Sequence, residues 1–110
     1  MKRLRAAALA MFFPFFAFGA ERSTVTTVNG LWTYTQFGGG DVVVVVANPA
    51  PGCASGFWFK TSDAGFNGTY AALLSAFHTG TRVQVGGSDT DLWAGSGDTY
   101  CRLSYAALVP

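Results

Sequence analysis

The sequence predicts a mainly β fold that carries one helix, and three observations support this. Most apolar residues lie in short runs rich in valine, threonine and aromatic side chains, which favour strands, and Gly, Pro and Asn separate these runs. Residues 68–79 instead have the periodicity of an amphipathic helix. Two distant cysteines, Cys53 and Cys101, indicate a covalent link across the fold.

Residues 1–20 predict a cleavable secretory signal peptide. Three positive charges lie within the first five residues, and an uncharged run follows from Ala6 to Ala20. Ala17 and Gly19 have the spacing of a cleavage site. The run is shorter than the roughly 20 residues that span a bilayer. We therefore expect a secreted or periplasmic protein without a membrane span after cleavage, with residues 21–110 as its single domain.

Charge argues against nucleic acid as a partner. Residues 21–110 hold four Lys or Arg side chains and six Asp or Glu side chains, a net charge of −2. The cations are scattered along the chain, whereas binding to a nucleic-acid backbone needs several of them clustered.

The two cysteines predict a disulfide. An even number of cysteines in an exported chain favours pairing, and closing this loop should stabilise the fold by about 4 kcal/mol. The alternatives are free thiols or metal ligands, but the single histidine, His78, leaves a poor set of metal ligands.

The first half of the chain predicts three strand regions. Residues 24–28 and 31–35 flank an Asn-Gly dipeptide, which predicts either a hairpin turn or a bulge in one long strand. Residues 42–46 are five consecutive valines, typical of a strand buried on both faces, inside the domain or against a partner. Residues 54–61 form the next predicted strand.

The helix over residues 68–79 has Asn67 as its expected N-cap and Gly80 just past its end. The residues at i, i+3, i+4 and i+7 spacing, which we expect to pack on the sheet, are Tyr70, Leu73, Leu74 and Phe77.

Two more strands are expected after the helix. Residues 82–85 alternate, residues 86–89 predict a turn, and the last strand runs over residues 99–109. Alternation in this strand predicts one shared face for Cys101, Leu103, Tyr105 and Ala107. Five strands with a helix between the third and fourth is the order of a small Greek-key barrel, the OB-fold. The alternative is a three-plus-two sandwich with a packed helix.

The stretch from Cys53 to Leu108 resembles a known family. Its motifs are Gly56-Phe57-Trp58, Tyr70-Ala71-Ala72-Leu73-Leu74, Thr79-Gly80, Val83-Gln84-Val85 and Tyr100-Cys101-Arg102-Leu103. They resemble the pentameric B subunits of subtilase-type bacterial toxins and their small secreted relatives. The resemblance implies an OB-fold, a homo-oligomeric ring of five and glycan binding. It carries over the fold and the disulfide, and it places no sugar-contact residue.

Catalytic and cofactor motifs are missing from the sequence. There is no Gly-x-Ser-x-Gly, and Asp89-Thr90-Asp91 matches only the start of a calcium loop. We predict no enzyme, no cofactor and no metal.

Aromatic residues are the better candidates for function. Trp32, Tyr34 and Trp93 are predicted to contact a ligand or partner, with Trp93 as an exposed platform in a polar loop. The predicted function is a secreted or periplasmic non-catalytic module that binds a glycan or a protein. The alternative is a structural subunit that only assembles.

Overall fold

The structure is a computed structural model that describes residues 20–110. The predicted signal peptide therefore lies outside the described residues, apart from Ala20. The elements are β1 (Glu21–Arg22), β2 (Val28–Thr33), β3 (Asp41–Val46), β4 (Gly56–Lys60), α1 (Phe66–Thr79), β5 (Val83–Ser88) and β6 (Tyr100–Leu108). Within this part of the chain, no helix has the length and hydropathy to cross a membrane.

The strands form one mixed sheet in the order β1-β5-β6-β4-β3-β2. The β4–β6 pair is parallel, and the other pairs are antiparallel. The predicted mainly β fold with one helix is confirmed. The predicted closed barrel of five strands is not: six strands form a sheet that does not close, with β1 and β2 at its edges.

The two edge strands are consecutive in the chain, and the segment between them contacts β5, near one edge of the sheet, and the end of β3, near the other edge. Thr26 forms a bridge with Val83 at the start of β5. Beyond the end of β3, the Ala47 N–H donates to the carbonyl of Thr27, and the Asn48 N–H donates to Thr26 Oγ1. The sheet must therefore curl strongly for one short segment to reach both β5 and the end of β3.

The Asn-Gly dipeptide is a bulge rather than a hairpin turn. Val28 lies opposite Val46 and Gly30 lies opposite Val45, so Asn29 is the extra residue in β2. The bulge lets Val28 face the helix side of the sheet while Gly30 and Trp32 lie on the other side.

The valine strand is buried on both faces, as predicted. Val42, Val44 and Val46 belong to the main core under α1, and Val43 belongs to a separate cluster on the opposite face. The residues that pack on each face of the strand belong to this chain.

The helix begins earlier than predicted, at Phe66, with Gly65 rather than Asn67 at the N-cap. Its end agrees with the prediction, because Gly80 has φ of 73° and its N–H donates to the Ala76 carbonyl at 2.9 Å. A left-handed residue at this place is most easily a glycine.

The predicted helix face is partly wrong. Leu73 and Ala76 are fully buried, and Tyr70 packs against the core, but Leu74 is half-buried and Phe77 is 44% exposed. The buried arc is centred on Leu73 and turned towards Ala76, which leaves Phe77, in the last turn, outside it.

The last strand also departs from simple alternation. Gly87 lies opposite Leu103 and Gly86 lies opposite Tyr105, so Ser104 is a bulged residue. The bulge switches faces: Cys101 and Leu103 are buried, as predicted, but Tyr105 is 41% exposed.

The predicted turn at residues 86–89 is wrong, since β5 continues to Ser88. Close approach requires glycine at position 87, where a Cβ would collide with the backbone carbonyl of Arg102; at Gly86 a Cβ would displace the exposed Tyr105 ring.

The predicted disulfide is confirmed. Cys53 and Cys101 are bonded, their Cα atoms are 5.4 Å apart, and both side chains are fully buried. The bond ties the turn before β4 to β6 inside the main core.

Candidate ligand-binding site

The face of the sheet opposite α1 is covered by the connection between β5 and β6, residues 89–99. Val43, Trp58 and Trp93 form its buried cluster, with Val45 and Tyr100 packed against them. Trp93 is the one member that the connection supplies, and its packing holds this largely polar segment on the sheet.

Trp93 is not the exposed platform that the sequence predicts. Its side chain is 7% exposed, its indole Nε1–H donates to Asp41 Oδ2 at 2.8 Å, and its backbone N–H donates to the Tyr100 carbonyl at 3.0 Å. Two hydrogen bonds and the packing on Val43 fix the position of the ring.

Asp41 is a functional candidate that sequence reasoning missed. Its side chain is 3% exposed, and Oδ1 has no hydrogen-bond partner among residues 20–110. Gly38, at φ 65°, comes so close that any Cβ there would collide with the carboxylate. An aspartate immediately before five valines was the available signal, because a charged residue at the start of a buried strand needs a partner.

Three further aromatic rings surround Trp93. The ring centroids of Tyr34, Phe37 and Tyr100 lie 5.2, 5.6 and 5.7 Å from that of Trp93, with the Phe37 and Tyr100 rings edge-on to it. These are favourable distances for aromatic pairs. Tyr34 and Phe37 lie in the connection between β2 and β3, Trp93 lies in the 89–99 connection, and Tyr100 is the first residue of β6.

These four rings line an open cleft of about 330 Å³, which we call the aromatic cleft. Its other lining residues are Gly95, Ser96 and Asp98, all exposed. A Cβ on Gly95 would collide with the Trp93 ring, so the loop backbone lies directly on the indole. The cleft therefore has an apolar wall and a polar rim with a hydroxyl and a carboxylate.

The three aromatic residues predicted as ligand contacts do not all lie together. Tyr34 and Trp93 line the aromatic cleft, whereas Trp32 does not. Trp32 is 51% exposed, and its ring covers Gly30 on the same strand. Phe37, Ser96 and Asp98 were missed, because the sequence does not show that residues 34–37 and 95–98 meet on the Trp93 ring.

Two cationic side chains on this face, Lys60 and Arg102, pack on the ring of the neighbouring Trp58. The Arg102 guanidinium carbon lies 4.4 Å from the centre of the Trp58 ring, and Lys60 Nζ lies 5.7 Å from it. Arg102 also forms an ion pair with Asp63. The Trp58 indole N–H donates to the Asp91 carbonyl at 2.9 Å, which gives the 89–99 connection a second attachment.

Two other concave sites are less suited to a ligand. A cleft of about 360 Å³ beside β1 has a single aromatic lining residue, Tyr105, with Glu21 and Arg22. A cavity of about 150 Å³ near the start of α1 is less than half that size, and its charged lining residues, Asp63 and Arg102, are already paired with each other.

The described residues 20–110 include no group of three His, Cys, Asp or Glu side chains placed to hold a metal ion. His78 is exposed in the last turn of α1. Comparison with protein-family models, curated proteins and solved structures finds no match to this chain.

Proposed function

We propose that this protein is a secreted or periplasmic, non-catalytic module that binds a glycan in the aromatic cleft. The observation that carries the proposal is the convergence of four aromatic rings beside the Asp98 carboxylate and the Ser96 hydroxyl. Sugar rings have an apolar C–H face that packs on aromatic rings, and hydroxyls that hydrogen-bond to carboxylate and hydroxyl oxygens. The cleft offers both kinds of contact side by side.

A rigid wall favours this use. Trp93 is held in place by its hydrogen bond to Asp41. The segment that follows Trp93 is attached at Thr99, whose carbonyl accepts a hydrogen bond from the Ser55 N–H. A preformed site loses less conformational freedom on binding, so weak sugar contacts yield more net affinity.

The fold is compatible with the toxin-like resemblance. If residues 21–33 are taken as one bent strand, the chain has five strands with the helix between the third and fourth, the OB-fold order. The bridge of Thr26 to Val83 supports this interpretation, since the same bent strand then pairs with both β3 and β5. Export is supported by the buried disulfide, a bond typical of oxidising compartments.

A glycan array probed with residues 21–110 tests the proposal, followed by titration of the best-bound oligosaccharide. Tyr34→Ala should weaken its binding about two- to tenfold, the equivalent of losing one aromatic stacking contact. Tyr105→Ala is the matched control, because Tyr105 is similarly exposed but lies outside the cleft. An array without binding would end the proposal, and a loss confined to Tyr105→Ala would move the site to the cleft beside β1.

Assembly without a small ligand is the second candidate. Six large apolar side chains of the described residues are exposed away from the aromatic cleft: Val25, Trp32, Phe77, Leu92, Tyr105 and Leu108. Side chains of this kind are what a subunit interface would cover. Light scattering coupled to gel filtration of residues 21–110 tests the ring of five. A single species of monomer mass up to about 100 μM, far above the nM to μM range of specific complexes, would contradict it.

A further inference from the structure

We infer that the aromatic cleft prefers sugars that carry a protonated amine over N-acetylated and acidic sugars. This inference rests on the proposed glycan-binding function and adds the ligand class to it. It follows from the distribution of charge around the cleft and from the accessible aromatic rings that line it.

The cleft is electrostatically one-sided. Among the described residues that line it, Asp98 is the one charged side chain, and it is exposed. The nearby cations Lys60 and Arg102 do not line the cleft; both lie on the Trp58 ring, and Arg102 is paired with Asp63. A positive group in the cleft would therefore meet a carboxylate and no competing cation.

The aromatic wall adds to this preference. The accessible aromatic surface of the cleft belongs mainly to Tyr34 and Phe37, which are 37% and 46% exposed. The faces of such rings attract cations through their quadrupoles. Trp93 is buried beneath these rings and held by the hydrogen bond from its indole N–H to the Asp41 carboxylate.

An acidic sugar would meet the opposite situation. Its carboxylate or sulfate would lie near Asp98 with no lining cation to compensate the repulsion. The positive end of a helix dipole offers no help, because α1 packs on the other face of the sheet. An N-acetylated sugar keeps the stacking contacts but loses the charge, so it should bind with intermediate affinity.

The test compares two probes of equal length: a chitosan oligosaccharide with free amines and its fully N-acetylated counterpart. Titration by tryptophan fluorescence or calorimetry at mildly acidic pH keeps the amines protonated. We expect the free-amine probe to bind about two- to fivefold more tightly, the range of a single accessible ion pair. Asp98→Asn should remove this difference, because asparagine lacks the charge but keeps a hydrogen-bonding side chain of the same size, and the acetylated probe should still bind.

Asp91→Asn is the matched control, since Asp91 is exposed in the same connection, has the same charge and lies outside the cleft lining. A loss of the preference in Asp91→Asn as well would show attraction to the general negative charge and overturn the inference. Equal or tighter binding of the acetylated probe would also overturn it, as would Tyr34-dependent binding of sialylated or sulfated glycans, yet glycan binding itself would stand. Failure of every oligosaccharide to bind would remove the proposed function and the inference together.

Discussion

The two faces of the sheet are both buried, but they are covered in different ways. The α1 face has a continuous apolar core of fourteen buried residues, which includes the disulfide. The opposite face has three buried apolar residues, and its cover is a polar loop seated by one tryptophan. On the α1 face the buried cluster consists of apolar residues, whereas burial on the opposite face depends on the hydrogen bond between Trp93 and the buried carboxylate of Asp41.

This difference separates stability from recognition. A helix that buries Leu73 and Ala76 excludes water along its length, and most of the free energy of unfolding should arise there. The 89–99 connection covers the opposite face only around Trp93. The neighbouring rings of Tyr34, Phe37 and Tyr100 therefore remain partly accessible to solvent. Accessible aromatic surface held by a rigid anchor is suited to binding.

The disulfide should give the largest effect. Replacing both Cys53 and Cys101 by alanine removes the bond from the helix-covered core and is expected to lower the free energy of unfolding by about 4 kcal/mol. Urea unfolding of the wild type and the double variant measures the difference. A loss below about 1 kcal/mol, well outside the usual range for native disulfides, would show that this core does not depend on the bond.

Leu73→Ala tests the helix side of the comparison next. Leu73 is fully buried, so the cavity should cost about 2–5 kcal/mol in urea unfolding. Phe77→Ala on the same helix is the control, and it should stay within about 0.5 kcal/mol because its ring is largely in solvent. Equal effects for the two variants would mean that the helix is rotated from the position described here.

Trp93→Phe tests the loop side with a smaller change. Phenylalanine keeps most of the ring but removes the N–H, which leaves both oxygens of the buried Asp41 unpartnered at a cost of about 1–3 kcal/mol. Trp58→Phe is the control, because its N–H donates to a backbone carbonyl of an exposed residue that water can reach. A larger loss in Trp58→Phe would contradict the anchoring role of Asp41.

The sequence predicts the helix-covered face better than the loop-covered face, and the reason is physical. The unbroken valine run over residues 42–46 indicates a strand buried on both faces, the helical periodicity indicates an amphipathic helix, and two cysteines in a chain predicted to be exported indicate the disulfide. Burial of the valine strand on both faces is confirmed. The 89–99 connection, which covers its second face, has no periodicity, so the sequence is equally compatible with a partner subunit in that place.

Bulges account for other differences. One extra residue, Asn29 in β2 or Ser104 in β6, reverses which side chains face inward from that point on. Alternation in sequence alone places Tyr105 with Leu103, whereas the structure places it on the outside. The same limit applies to the aromatic cleft, because its rings come from two distant segments, residues 34–37 and 93–100, that only the folded sheet brings together.

Trp32→Ala should give the smallest effect and defines the edge of the proposed site. The side chain lies opposite Val43 and covers Gly30, so its removal should cost about 0.2–1 kcal/mol, the range of a cross-strand pair. It does not line the aromatic cleft, and glycan affinity should therefore equal that of the wild type, in contrast to Tyr34→Ala two residues along the chain. Unfolding in urea and titration with the same oligosaccharide measure the two quantities. A loss of affinity in Trp32→Ala as large as that in Tyr34→Ala would extend the binding surface along β2, and the loop-covered face would then recognise its ligand with the exposed sheet as well as with the loop edge.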